Sequence, residues 1–405
     1  MQSRHALLTA AGALAGALTM TVALTVPVSA APPPGKGTPV TVMTRNVYLG
    51  GDITRPLRET AGITDPGALV VALANSNDGL AAVVDQTDFP ARSRLLAREI
   101  AEQKPDLVGL QEVATWRHGP LQLPPPTDAF GRVIANATTV DYDFLQLLLG
   151  ALRAAGTPYD VVHVQQASDV EGPAFSGNLF AGTAVNPRDV RLTMHDVVLK
   201  RAGSAVRVEH SGGAQYDTRL AFSLGGLTYE FVRGYAWADV RVGAKRLRFV
   251  NTHLESQYSV FALGQAQELL AEAVGPAAAQ GLPVVVVCDC NSDPLDGSQK
   301  DLPTPPGGKD VPHWQPYRLL TSVLSDAWLA SGTSDPGYTS GLDELVQEAP
   351  PASFTHRIDL VLTLGAGGTA VPADQPAIVG SDPANRTAGG LWPSDHAGVV
   401  VRLRP

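Results

Sequence analysis

The sequence predicts a mixed α/β fold in which apolar strands are buried between layers. Three observations carry this. Nearly continuous apolar runs, such as residues 106–113 and 283–289, are typical of strands covered on both faces. Segments of helical periodicity separate some of these runs, and other runs follow one another directly as strand pairs. The chain has 405 residues, 44% of them hydrophobic and 17% charged, which is ample for a sizeable core. No interior segment reads as a linker, so one domain is expected over residues 38–405.

The elements follow in order. Arg4 and His5 precede an apolar stretch over residues 6–28 that closes in Val28-Ser29-Ala30. This predicts an export leader over residues 1–30, removed on secretion, then a Pro/Gly linker over 31–37. The stretch also approaches a spanning length, so an uncleaved anchor is the alternative. Once the leader is removed, no membrane-spanning segment and an extracellular protein are expected.

A short strand is predicted over 40–47, then a Gly-rich irregular excursion over 48–90. In the helix expected over 91–103, Leu95, Leu96 and Ile100 share one face, with Arg and Glu on the other. Loops are expected over 116–137 and 292–316, and helices over 141–155, 258–274 and 319–330. Strands are expected over 159–164, 196–199, 229–242, 246–252, 358–364 and 397–403. The only cysteines, Cys288 and Cys290, lie two apart in a predicted strand. Extended backbone would hold them too far apart to bridge, so two buried thiols are expected.

Chemistry enters where polar residues end apolar strands. The segments are Thr44-Arg45-Asn46, Gln111-Glu112, Asn251-Thr252-His253, Asp289-Cys290-Asn291, Arg357-Ile358-Asp359 and Ser394-Asp395-His396. Each has an ordinary alternative: Asn46 a turn, Glu112 a cap, His253 a hydrogen-bonded structural histidine, Asp359 a partner for Arg357. Asp289, Asn291 and Asp395 could each be local caps. Six in one chain are far less ordinary than one.

Taken in order, these segments resemble the endonuclease/exonuclease/phosphatase superfamily, whose motifs run from an Asn after the first strand through a Gln-Glu pair, a Thr-His-Leu, an Asp-x-Asn and a later Asp to a terminal Ser-Asp-His. The resemblance spans residues 40–403 and departs at Cys288, where glycine is usual. It implies a four-layer α/β sandwich, with two packed mixed β-sheets flanked by helices. It also implies a metal-dependent hydrolase acting on phosphoesters. Magnesium, or else manganese or calcium, would be held by Glu112 with Asn46 and Asp395 beside it. His396, oriented by Asp359, would take a proton from the attacking water. Asp289 and Asn291 would position water and phosphate, and His253 would hold a phosphate oxygen or protonate the leaving group. Arg233 could grip the phosphate, or form a salt bridge instead, and Asp196 could orient His253.

The expected partner is a phosphoester: a lipid head group, a nucleic acid or a small molecule. No stable protein partner is implied, and a non-catalytic binding protein of the same fold is a further alternative. The net charge of −9 counts mildly against a nuclease that tracks a polyanion. Asn46-Val47-Tyr48 is similar to the start of secreted sphingomyelinases.

Overall fold

The computed structural model describes residues 38–302 and 308–405; the expected leader and linker lie outside the described residues. Among these residues, two large sheets form. One has seven strands, in the order Ala377–Val379, Gly398–Leu403, Val40–Asn46, Leu107–Pro120, Val185–Arg201, Tyr159–Ser176, with Thr139–Asp143 added beside Leu107–Pro120. The other has six: Ser325–Asp326, Asp359–Leu364, Val284–Asp289, Lys245–His253, Gly234–Val242 and Arg207–Gln215.

Side-chain alternation builds the layers. Val285 and Val287 point inward and meet Val40, Val42 and Leu107 of the facing sheet. Val284 and Val286 point outward, onto Ala262, Ala266 and Leu269 of the helix Ser259–Leu269. On the far side of the seven-stranded sheet, Met43, Val108 and Leu110 pack under Leu96, Ile100 and Phe144 of the helices Phe89–Gln103 and Phe144–Ala154. The result is helix, sheet, sheet, helix, the four-layer sandwich expected.

Each sheet holds one parallel pair at its centre, and this brings the functional ends together. Asn46 lies beside Gln111 in one sheet. His253 lies beside Asp289 in the other, and Asp289 also faces Asp359 on the antiparallel neighbour. Buried amides tie the sheets to each other: Gln111 Nε2 donates to Asn251 Oδ1 at 2.6 Å, and Asn251 Nδ2 to the Leu110 carbonyl at 2.9 Å. Gly109 permits this approach, because a Cβ there would lie 2.4 Å from Val287 Cγ2 and 2.5 Å from Asn251 Oδ1.

Two buried arginines fix the loops at this end. Arg92 donates to the carbonyls of Thr87, Val47, Pro393 and Tyr48 at 2.7–3.1 Å. Arg45 pairs with Glu99 at 3.0 Å and also donates to the His396 carbonyl. The expected polar face of the helix Phe89–Gln103 is therefore wrong in part: Arg92 and Glu99 are buried with the leucines. They can be, because each has buried partners waiting.

Other expectations also change. Residues 48–90 are largely helical, with Arg55–Glu59 and the 21-residue helix Pro66–Gln86. Asp65 caps the longer helix by accepting from Ala68 N at 2.7 Å. That helix is long and apolar enough, at mean hydropathy 1.4, to cross a membrane by length and composition; here Leu80 and Val84 pack into the core. The expected loop at 116–137 begins as strand, to Pro120, and the strands at 159 and 185 run far longer than expected. The expected strand at 229–242 is two, with Leu227–Phe231 forming a separate hairpin with Leu220–Leu224. Cys288 and Cys290 are joined as a disulfide, contrary to expectation. The strand ends at Asp289, so Cys290 has left the extended path and the two Cα atoms stand 5.1 Å apart, within bridging reach.

Two stability tests follow. Gly109→Ala should lower stability by about 1–3 kcal/mol, the usual cost of overpacking. Arg92→Ala leaves four carbonyls without their donor, each costing about 1–3 kcal/mol if it stays unsatisfied, so it should be the more damaging. Urea unfolding measures both, and an unchanged midpoint for either would contradict this packing.

Candidate active site

The site sits where the ends of both parallel pairs converge. Asn46 Nδ2 donates to Asp289 Oδ2 at 2.9 Å, crossing from one sheet to the other. Its Oδ1 accepts from Tyr48 N at 2.8 Å. Both ends of this amide are thus engaged within the protein: Asn46 fixes Asp289, and its Oδ1 keeps a second lone pair beyond the bond to Tyr48.

Glu112 projects from a bulge in the strand Leu107–Pro120, where register against Val185–Arg201 shifts between Leu110 and Val113. Its φ of 59° is left-handed, a conformation that non-glycine residues adopt at a cost and that often marks functional positions. Leu49 N donates to Glu112 Oε2 at 2.9 Å. Glu112, His253 and Asp289 each offer a ligand atom, all within 4.8 Å of one another.

Asp289, Asp359 and His396 form a second such group, sharing Asp289 with the first. His396 Nδ1 lies 2.8 Å from Asp359 Oδ2, and its Nε2 lies 3.8 Å from Asp289 Oδ2. Burial alone would push this imidazole down, but Asp359, Asp395 and Asp289 outweigh it and raise His396 well above the usual histidine range. Burial pushes the Asp289 carboxyl up, opposed by His396. Ser394 Oγ donates to the Asn46 carbonyl at 2.9 Å, which pins the Ser-Asp-His segment to the first strand. Asn291, also left-handed at φ 43°, donates its Nδ2 to the Leu254 carbonyl, while its N–H caps Asp289 Oδ1.

His253 is held differently. Arg233 Nη1 lies 2.8 Å from His253 Nδ1. The same Nη1 lies 3.2 Å from Nε2; a guanidinium only donates, so one ring nitrogen accepts and the ring is neutral, while Nε2 lies 3.4 Å from Asp289 Oδ2. Burial, then the charges of Arg233 and His396, lower His253 well below the usual range. Arg233 meets Glu255 Oε2 at 3.5 Å. It also lines the open cleft, of about 300 Å³, with Glu112 and Asp395. The salt-bridge alternative for Arg233 is therefore realised, and the residue also stands on the cleft wall.

The ordinary alternatives for some residues fall away. Arg357 pairs with Asp326 at 2.8 Å, leaving Asp359 to His396. Asp196 does not orient His253, since both of its buried oxygens lack a hydrogen-bond partner. Sequence reasoning missed Glu255, Arg45 and Arg92. It also missed Thr339, whose hydroxyl accepts from Asp359 N at 3.2 Å. Of these, Arg45 stood inside a recognised segment and Glu255 two residues past another.

The donor set fits a divalent cation. Glu112 and Asp395 face the cleft with no lysine or arginine in ion-pair contact among the described residues, and Asp289 contacts only histidines in that way. Oxygen-rich sites of this kind suit magnesium, manganese or calcium.

No family model matches the chain, and no curated protein does. Solved structures resemble it along most of its length. An endonuclease/exonuclease/phosphatase family protein from Leptotrichia buccalis aligns over 90% of this chain and 99% of its own, at 14% identity and a TM-score of 0.49. One from Bacteroides vulgatus aligns over 90% and 98%, at 17% identity and 0.49. A mannosyl-6-phosphatase from Bacteroides thetaiotaomicron aligns over 90% and 99%, at 14% identity and 0.48. At these identities and scores the likeness assigns neither a family nor a substrate.

Proposed function

We propose that this chain is a hydrolase of phosphoesters that works with a divalent cation, in the manner of the endonuclease/exonuclease/phosphatase superfamily that its motifs resemble. The observation that supports this best is the pair of linked groups, Glu112–His253–Asp289 and Asp289–Asp359–His396, around one buried aspartate. Glu112 and Asp395 would hold the cation, most simply magnesium. When bound, it neutralises phosphate charge and steadies the leaving oxygen.

The chain's own residues do the rest. Once cation charge offsets the carboxylates around it, His396 would be neutral; Asp359 accepts its Nδ1–H, and Nε2 takes the proton of the attacking water. Asp289, fixed by Asn46 and capped by Asn291, orients that water. His253 stands at the same place, suited to a phosphate oxygen or a leaving group, and Arg233 adds positive charge to the cleft wall. Asp52, Asp343 and Glu344 also line the cleft. This acidic rim and the net charge of −9 favour a small or lipid-like ester over a polyanion. The apolar start of the chain supports export.

Three outcomes are expected. Chelation abolishes hydrolysis of a generic phosphodiester and magnesium restores it. His396→Ala and Glu112→Ala each reduce turnover by roughly 10²–10⁴-fold, the usual contribution of a positioned acid–base group; turnover unchanged in either variant refutes the assignment. Across plasmid DNA, RNA and phospholipids, nucleic acids are the poorer substrates, and preferential cleavage of DNA would reverse that choice. Separately, N-terminal sequencing of protein recovered from the medium should begin at Ala31; an intact N-terminus in the membrane fraction would mean an anchor.

A further inference from the structure

Beside the cleft lies an apolar pocket of about 90 Å³ that the chemistry above does not use. On the same measure a void needs roughly 10–15 Å³ to hold one water, so several methylene-sized groups fit. We propose that this pocket takes the hydrocarbon chain of the substrate, so that the phosphoester cleaved is one carried by an amphiphile. The proposal rests on the hydrolase reading and specifies its substrate.

Position is the first argument. Leu49 joins the two sites: its N–H donates to Glu112, and its carbonyl accepts from Trp116 Nε1 at 2.8 Å. Glu112 lines the cleft and Trp116 lines the pocket. Ile53 lines both, with Leu57 continuing into the pocket. The floor is continuous as well. Val190, Leu192 and Met194 are alternate residues of one strand, which point to one face. The first two lie under the pocket and the third under the cleft.

Chemistry is the second argument. The polar groups among the lining residues are mostly engaged. Asn77 donates to the Pro173 carbonyl, Glu171 accepts from the N–H groups of Asn136 and Ala137, and Glu230 sits within 4 Å of Arg132 and Arg219. The exception is the Tyr229 hydroxyl, which is buried without a hydrogen-bond partner. Apart from that one hydroxyl, what remains to meet a ligand is hydrocarbon, which selects for hydrocarbon.

The third argument is the hairpin of Leu220–Leu224 and Leu227–Phe231. It belongs to neither large sheet, yet it supplies Phe222, Leu224 and Phe231 to the pocket wall. Phe222 and Leu224 are only half-buried there, as expected of a wall that a ligand completes.

The test uses alkyl 4-nitrophenyl phosphate diesters with ethyl, hexyl and decyl chains, as monomers, with magnesium. Each methylene buried is worth a factor of about four, so kcat/KM should rise at least tenfold from ethyl to decyl. Phe222→Arg and Leu57→Arg, at half-exposed positions, should flatten that rise and leave the ethyl rate unchanged. A flat series in the unaltered protein, or a slope that survives both variants, overturns the proposal. Binding of decyl against ethyl phosphonate by calorimetry decides the pocket independently. Equal affinities refute it, and tighter decyl binding lost in Phe222→Arg supports it even if no ester is turned over, an outcome that would instead defeat the hydrolase reading.

Discussion

The hydrogen bond from Asn46 to Asp289 is the contact on which the rest turns. It joins the end of a strand in one sheet to the end of a strand in the other. Both residues are buried, so neither could stay there unpaired without a cost of kcal/mol order. The bond therefore sets where the two sheets meet, and the Gln111–Asn251 contact one layer deeper holds the same spacing. Asp289 is then shared by both groups of potential ligands. A shift of one sheet against the other would separate Glu112 from His253 and Asp289 from His396 at once.

Around that contact the protein concentrates groups that are costly to bury. Three carboxylates push His396 up, while burial and then Arg233 push His253 down. Two histidines a short distance from one aspartate are thus shifted in opposite directions. Arg45 and Arg92 stabilise the loops behind it by donating to backbone carbonyls, so the shape of the site does not rest on loop side chains alone.

Much of the site was legible because strand ends announce themselves. A carboxylate, amide or histidine after a run of valines is easy to see, and the topology brought Asn46, Glu112, His253, Asp289, Asp359 and Asp395-His396 to one end. The helix Pro66–Gln86 was not legible: Asn75, Ser76, Asn77, Asp78 and Gly79 in its middle all have poor helix propensity. Its start was marked by Asp65-Pro66, a cap followed by a first-turn proline. The disulfide was missed because strand geometry was carried one residue too far. The buried roles of Arg92 and Glu99 were hidden because their partners are backbone carbonyls and a distant arginine, which no local pattern reveals.

Metal binding at Glu112 is the claim on which the chemistry depends most directly. Titration with manganese, followed by electron paramagnetic resonance, tests it without reference to any substrate. The account predicts saturable binding by the unaltered protein, displaced by magnesium, and its loss in Glu112→Ala with the circular dichroism spectrum unchanged. Binding of equal strength in Glu112→Ala, or no saturable binding at all, would contradict it.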